Sequence, residues 1–447
     1  MTATAPLDSP PPGAALSRKP GGGVMFELMR TRRFAPLFWC QFLSAFNDNF
    51  VRQMLALLIL FQFGGADAGA KIQLAVALFV LPSIPLSPIG GEIADAHNKA
   101  AIARILKFAE IFVQAIAAAG FLLGSLALLY VALTGLGIIA ALFGPIKYGI
   151  LPDHLRKDEL VAGNALIEGA TFAAIIAGLV FGGYAAAQGR SPVSVVAQLA
   201  VVAVACYATS RWIPATEVGA PGLRINWNPF TATRDILREL RANDKQWVGC
   251  LAVSWFWTVG ALTLSLAPVI IKARIGGGIE VETAVNLFFA VGVAGGSLLA
   301  AELSHGRIRL TWAPYMLLVL GVVAIGLGLF THQMPDAQAE VGLVEFFTSW
   351  TGLGVAAAIL VYSCAAGLFV VPIFAAVQAW SPVDRRARVI GANNTLNSVM
   401  MVAGSLAASI LLKATGIDES TALAAIGALN LLAAGFVWRR LPRGLES

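Results

Sequence analysis

Gln41-Phe-Leu-Ser44-Ala-Phe-Asn47-Asp48-Asn49-Phe-Val-Arg52-Gln53 lies inside an otherwise apolar run from Phe34 to Phe63. The run is long enough to cross a bilayer, which takes roughly 20 apolar residues. A carboxylate at bilayer depth costs about 2.5 to 3.5 kcal/mol on insertion scales, so such a group faces a partner or a wet cavity. At helical period Gln41, Ser44, Asp48 and Arg52 share one stripe, Asn49 and Gln53 form a second beside it, and Asn47 widens the polar arc. The helix therefore turns a broad polar face toward something other than lipid. The simpler alternative is an Asp48–Arg52 pair that neutralises itself and locks packing, but such a lock has no use for the three adjacent amides and acids.

The rest of the chain has the composition of a polytopic membrane protein. Its 447 residues are 58% apolar and 13% charged, with a mean hydropathy of +0.77, whereas soluble domains carry about 25% charge. Little is left for a soluble catalytic domain, so an enzyme is not expected. The net charge of +6 sits in loops and does not point to nucleic acid. Cys40, Cys206, Cys250 and Cys364 have unrelated spacings, and His97, His154, His305 and His332 fall in separate connections, read as solvated loop histidines. No disulfide or metal framework is expected. There is no Gly-x-x-x-x-Gly-Lys-Ser/Thr run for ATP, and no cofactor is expected.

Hydropathy gives twelve spans, near 34–63, 71–91, 100–123, 126–147, 160–187, 191–214, 246–271, 282–303, 311–331, 350–375, 387–413 and 419–438. Met1 to Gly23 is rich in Pro, Gly, Ala and Ser and reads as disordered, without the pattern of a cleaved signal peptide. Val24 to Arg33 is an amphipathic lead-in. With both ends placed inside, 25 of the 31 Lys and Arg fall on inner segments and five on outer ones, leaving Arg52 within the membrane; this obeys the positive-inside rule. The expected organisation is a tail and lead-in over 1–33, a six-helix bundle over 34–214, a linker over 215–245 and a second six-helix bundle over 246–447. Within the linker, Asn228-Pro229 starts a helix whose apolar side (Phe230, Ile236, Leu237, Leu240) would lie on the inner leaflet.

The two halves are weakly alike. Asn164 and Glu168 lie 229 residues before Asn393 and Asn397, each pair early in a span that follows a charged loop. Six-plus-six parallel repeats are the plan of major facilitators, whose site lies between the halves near mid-membrane. Gly91-Glu-Ile-Ala-Asp95-Ala-His-Asn-Lys99 resembles the loop signature of that superfamily in part, with Ala96 and Asn98 at positions usually basic and Gly. Asp95 is expected to cap a helix start and pair with a base on a neighbouring span, with Lys99 as its gating companion. Phe143-Gly-Pro145-Ile-Lys147-Tyr-Gly-Ile-Leu-Pro152 should break or kink the fourth span, with Lys147 either snorkelling or aimed into a cavity. Asn164, Glu168 and Thr171 form one stripe on the fifth span, and Gly163, Gly169 and Gly178 permit close approach of another helix. Whether Trp255 and Trp257 in the seventh span face lipid or a cavity is open. Asp48, Arg52, Lys147 and Glu168 all lie in the first half, against a mostly apolar second half. That asymmetry suits an amphiphile with a charged head and an acyl tail better than a sugar.

Phe42 to Asn49, Pro145 to Leu151 and Gly163 to Thr171 together resemble the bacterial lysophospholipid transporters of the major facilitator superfamily, and the likeness runs from about Arg33 to the last span. The resemblance implies an alternating-access flippase moving lysophosphatidylethanolamine and related lysolipids from the outer to the inner leaflet of the bacterial inner membrane, for reacylation. By carry-over, Asp48 matches the first-span acid, Lys147 the fourth-span lysine and Glu168 the fifth-span acid. Some members carry an arginine in the seventh span where this chain has Ser265, which leaves the phosphate to Lys147 or Arg52. The lead-in Arg32 to Phe38 is similar to versions fused to acyltransferase and acyl-ACP synthetase domains; no such domain is present in these 447 residues, and a separate enzyme of that kind is the expected partner. The expected substrate-binding set is Asp48, Asn49, Arg52, Lys147, Asn164, Glu168, Asn393 and Asn397, in a monomer with both termini cytoplasmic. Two rival readings are a drug–proton antiporter with Asp48 or Glu168 as proton carrier, and a membrane platform for a lipid-acylating enzyme that transports nothing.

Overall fold

A computed structural model of the chain describes residues 21–61, 68–187 and 192–441. Most of the Met1 to Gly23 tail lies outside the described residues, although its last glycines already begin a helix. The order is α1 (Gly21–Arg30), α2 (Ala35–Phe61), α3 (Ala68–Val80), α4 (Ser83–Ala96), α5 (Lys99–Leu123), α6 (Leu126–His154), α7 (Leu160–Ala187) and α8 (Pro192–Arg211). A linker carries α9 (Pro229–Arg241). Then come α10 (Asp244–Ile270), α11 (Ile279–Ser304), α12 (Ala313–Gln333), the short α13 (Leu343–Thr348), α14 (Trp350–Trp380), α15 (Arg386–Thr415) and α16 (Glu419–Arg440). Eleven segments among the described residues are long and apolar enough to cross a membrane, with α3 and α4 forming one of them. The twelfth long helix, α2, has its hydropathy diluted by the amides and charges quoted above. The chain is an all-helical multi-pass membrane protein.

Local chemistry sets the helix ends. Asn98 accepts the Ala101 N–H and starts α5; Gly124, at φ +60°, closes it, and Ser125 at once caps α6 through the Leu128 N–H. A left-handed residue followed directly by a capping serine is the shortest way to reverse one span into the next. At the same end of the second half, Asp418 accepts the Thr421 N–H and starts α16. Arg274 bridges from there to Asp336.

The expected break at Gly144-Pro145 does not occur, and α6 runs on through Pro145 and Pro152 to His154. A proline inside a helix lacks the N–H that would bond the carbonyl four residues earlier. In α4 and α6 neighbouring side chains answer the carbonyls freed by Pro88, Pro145 and Pro152. Ser87 Oγ on α4 donates to the Ala141 carbonyl released by Pro145, at 3.2 Å. Gln378 Nε2 on α14 donates to the Tyr148 carbonyl released by Pro152, at 3.3 Å. Pro88 in α4 releases the Ile84 carbonyl, and Thr395 Oγ1 on α15 takes it at 3.2 Å. Such re-satisfaction lets proline persist in a membrane helix, and two of these three bonds join the first half to the second.

The halves meet along two seams, α4 against α15 and α7 against α11. Close packing within the first half depends on Gly178, where a Cβ would lie 2.8 Å from Asn49 Cβ and 2.9 Å from the Phe50 nitrogen; Gly169 has no comparably close neighbour. The linker helix departs from expectation. Ile236 and Leu240 are buried in a cluster with Cys250, Val377, Val389 and Ala392, while Phe230 is 84% exposed. Thus α9 lays its apolar face on α4, α10 and α15 of the bundle, not on lipid. On the other seam α1 lies against both α7 and α11, with Leu28 buried. Arg33 then holds Glu159 through two hydrogen bonds of 2.6 Å each.

Candidate functional site

At the end of the bundle where α4 stops and α15 starts, the halves are shut. Asp95 accepts the backbone N–H groups of Ala387 and Arg388 at 2.9 and 3.0 Å, and Arg388 Nε approaches at 3.3 Å. Those N–H groups belong to the first turn of α15, which has no intrahelical acceptor for them. Asp95 therefore caps a helix of the other half. Lys99 does not join Asp95. Its Nζ bonds Asp153 at 2.9 Å, and Asp153 bonds Arg386 across the boundary at 3.0 Å. Gly91 sits where a Cβ would come within 2.7 Å of the Ala387 carbonyl oxygen, so the helices close only because it has none. The linker is fastened beneath: the Ala220 N–H donates to the Asp95 carbonyl at 2.8 Å and the Asn226 N–H to Glu92 at 2.6 Å.

Beyond this latch, toward the other end, the halves part around a cavity of about 480 Å³. Asn49, Arg52 and Gln53 of α2 line it with Phe172, Ile175 and Leu179 of α7, and Leu264, Asn286 and Phe289 come from the second half. The α2 wall is polar, and the rest is apolar apart from Asn286. A larger hollow of about 1080 Å³ lies around Gly276, Glu282 and Asp336 on the second half, and holds none of the residues expected from the sequence.

The sequence-derived residues divide into three groups. Asn49 and Arg52 face the cavity. Arg52 does not pair with Asp48: it donates to Asn49 Oδ1 and lies over the Phe79 ring, 4.9 Å from its centroid. Asp48 and Lys147 are half-buried and lie within electrostatic reach of each other; Lys147 Nζ sits 4.6 Å from the Tyr148 ring centroid. The third group is packed away from the cavity. Glu168 is buried and accepts the Tyr148 hydroxyl at 2.5 Å, with its other carboxylate oxygen lacking a partner among the described residues. Asn164 bonds Gln378 across the boundary. Asn397 accepts Ser254 Oγ at 2.7 Å, and Asn393 is buried with no side-chain partner among the described residues. Trp255 does not line this cavity, and its Nε1 donates to Asn430 at 2.8 Å.

Other participants escaped sequence reasoning. Lys107 looks like an inner-loop cation by position, yet it is buried with its Nζ 2.7 Å from both Glu110 and Ser44 Oγ. An acid three residues after a lysine, inside the apolar run 100–123, was the available signal. Cys40 and Cys206, unrelated in spacing, approach to 3.9 Å as free thiols. Gln378, Asp153 and Arg386 complete the latch and carry no pattern of their own in one sequence.

Two bundles of six spans, closed at one end by a capping aspartate and parted at the other around a half-polar cavity, have the six-plus-six plan of a membrane transporter. The sequence matches the Major Facilitator Superfamily over residues 37–364, and the chain belongs to that superfamily. Among its relatives, the lysophospholipid transporter LplT of Cronobacter sakazakii (strain ATCC BAA-894) is 28% identical over 444 residues, covering 95% of this chain and 99% of that one. The protein of the same name from Escherichia coli (strain K12 / DH10B) is 26% identical over 415 residues, covering 90% and 94%. Among solved structures, the human organic anion transporter MFSD10 (TETRAN) superposes with a TM-score of 0.70 at 16% identity, covering 91% of this chain and 99% of that one.

Proposed function

We propose that this protein is a lysophospholipid transporter that carries lysophosphatidylethanolamine and related lysolipids from the outer to the inner leaflet of a bacterial inner membrane, where they are reacylated. The observation that carries the reading is the cavity: Arg52 and Asn49 on one side, and Phe172, Ile175, Leu179, Leu264 and Phe289 around the rest. A charged head with one acyl tail fits such a surface. The relatives named LplT support the choice of amphiphile.

In this reading the latch end is cytoplasmic, in keeping with the positive-inside distribution, both termini lie inside, and the arrangement is outward-open. Asp48 attracts the head-group ammonium while Arg52 or Lys147 takes the phosphate, and Glu168, packed away from the cavity, stays with Tyr148. Charge-assisted hydrogen bonds of that kind contribute about 1.5 to 3 kcal/mol each, enough to offset part of the head-group dehydration. The tail stays against the apolar wall. Asp95 and the Asp153 bridge then open as the far end closes, releasing the lipid to the inner leaflet, where an acyltransferase consumes it. The protein acts as a monomer.

The test is uptake of labelled lysophosphatidylethanolamine by spheroplasts expressing wild type, Asp48→Asn or Lys147→Ala. Wild type should take up lipid and both variants should lose most of that activity. Full activity in both variants overturns the site assignment, and no uptake by wild type overturns the function.

A further inference from the structure

Lys107 and Glu110 form an ion pair on α5 with side-chain exposures of 0% and 2%, sealed from the cavity. Replacing such a pair by well-packed apolar residues is often neutral or stabilising, so holding the fold together is a poor account of it. Its surroundings are more informative. Lys107 Nζ touches Ser44 Oγ at 2.7 Å, and Ser44 Oγ lies 3.2 and 3.3 Å from the two Glu110 oxygens. Ser44 stands one helical turn before Asp48 on the same face of α2. Lys107 Nζ also lies 4.0 Å from the centroid of the Phe143 ring, and Phe143 stands one turn before Lys147 on α6. The pair is thus gripped by the turns that carry both half-buried charges of the candidate site.

We propose that Lys107 and Glu110, coupled through Ser44, are positioning residues that set the field and orientation of Asp48, and with it the preference of the site for a head group that carries an ammonium. The proposal rests on the reading of Asp48 as the ammonium site. Asp48 is surrounded by Arg52 on its own helix, Lys107 and Glu110 on α5, and Lys147 on α6. Glu168 on α7 acts on Lys147, and the Cys40 and Cys206 thiols lie beside Lys107. Among these, the α5 pair touches α2 directly and never meets the lipid. A fixed dipole at that range in a poorly screened interior changes the affinity of a neighbouring charged site on the order of tenfold.

The experiment measures the ratio of lysophosphatidylethanolamine uptake to lysophosphatidylglycerol uptake by the full chain in spheroplasts. The second lipid keeps the phosphate and tail but lacks the ammonium. The variants are Ser44→Ala, the neutral double Lys107→Met with Glu110→Gln, and the swap Lys107→Glu with Glu110→Lys. The double and the swap should shift the ratio by about tenfold, with Ser44→Ala shifting it in the same direction as the double and by less. A purely structural role lowers both uptakes together and leaves the ratio at the wild-type value; that result, in the swap or in Ser44→Ala, overturns the proposal. Wild type that moves neither lipid overturns the functional reading itself.

Discussion

Gln378 on α14 and Asn164 on α7 exchange two hydrogen bonds across the boundary between the halves, at 2.7 and 3.1 Å, while Gln378 also serves the Tyr148 carbonyl that Pro152 releases. Gln378 is fully buried, so its three bonds exist only while the halves are together. Removing it leaves two buried groups of the first half unpaired, at about 1 to 3 kcal/mol each. Gln378→Ala should therefore favour opening of the latch. With the native cysteines replaced and a reporter cysteine at Ala56 in the cavity, labelling by an impermeant thiol reagent should fall on the order of tenfold; unchanged labelling would show that these bonds do not bias the equilibrium.

Gly91 offers a steric version of the same experiment. Any Cβ there meets the Ala387 carbonyl oxygen and the Arg388 Cα at 2.7 Å, both backbone atoms that cannot swing aside. Gly91→Leu should fold but be unable to close the latch, giving low Ala56 reporter labelling and loss of net lipid uptake. Normal uptake by this variant would mean that closure at this contact is not part of the cycle.

Ser87 and Pro145 should be coupled. Ser87→Ala strands the Ala141 carbonyl and should destabilise the protein by about 0.5 to 1.5 kcal/mol, the usual range for one hydrogen bond inside a membrane protein. In a Pro145→Ala background the restored N–H takes that carbonyl, and Ser87→Ala should cost nothing. Denaturation of the four proteins in mixed micelles measures the cycle, and equal losses in both backgrounds would remove the hydrogen-bond account.

Asp418, outside the spans, supplies a pH dependence. Burial raises its carboxyl, but hydrogen bonds from Thr421 and His332 outweigh burial and hold it well below the usual carboxylate range. A group depressed on folding stabilises above its unfolded value of about 3.9 and loses that contribution as the pH falls further. The Tm gap between wild type and Asp418→Asn should be constant from about pH 5 to 7 and narrow below about pH 4. A gap that widens on acidification would contradict the assignment.

The span pattern was legible because each helix must hide its backbone from lipid, which forces long apolar runs whatever their partners. The polar face of α2 was legible for the converse reason: Asp48 and its amides are costly in lipid. Partnerships were not legible. Lys107 counted as a loop cation because its partners beyond Glu110, Ser44 on α2 and Phe143 on α6, are distant in sequence. Asp95 is visible as a capping residue, but the helix it caps begins almost 300 residues later. Of the break or kink expected at Pro145, the break does not occur because the remedy, Ser87, lies on another helix. The face of α9 was correctly apolar yet assigned to lipid, since its actual neighbours Val377 and Val389 come from the second half.

The carbonyls of Ile84 and Tyr148 accept their bonds across the boundary as backbone atoms, so the seal they make is indifferent to which side chains those positions carry. In a saturation scan Ile84 should tolerate drift that merely conserves volume, whereas Tyr148 is held separately by its hydroxyl on Glu168. Selection should weigh instead on Pro88 and Pro152, whose contribution is an absent hydrogen, and on the donors Thr395 and Gln378. Part of what brings the two halves together is thereby encoded by omission, and would be overlooked by any survey that scores only the atoms in contact.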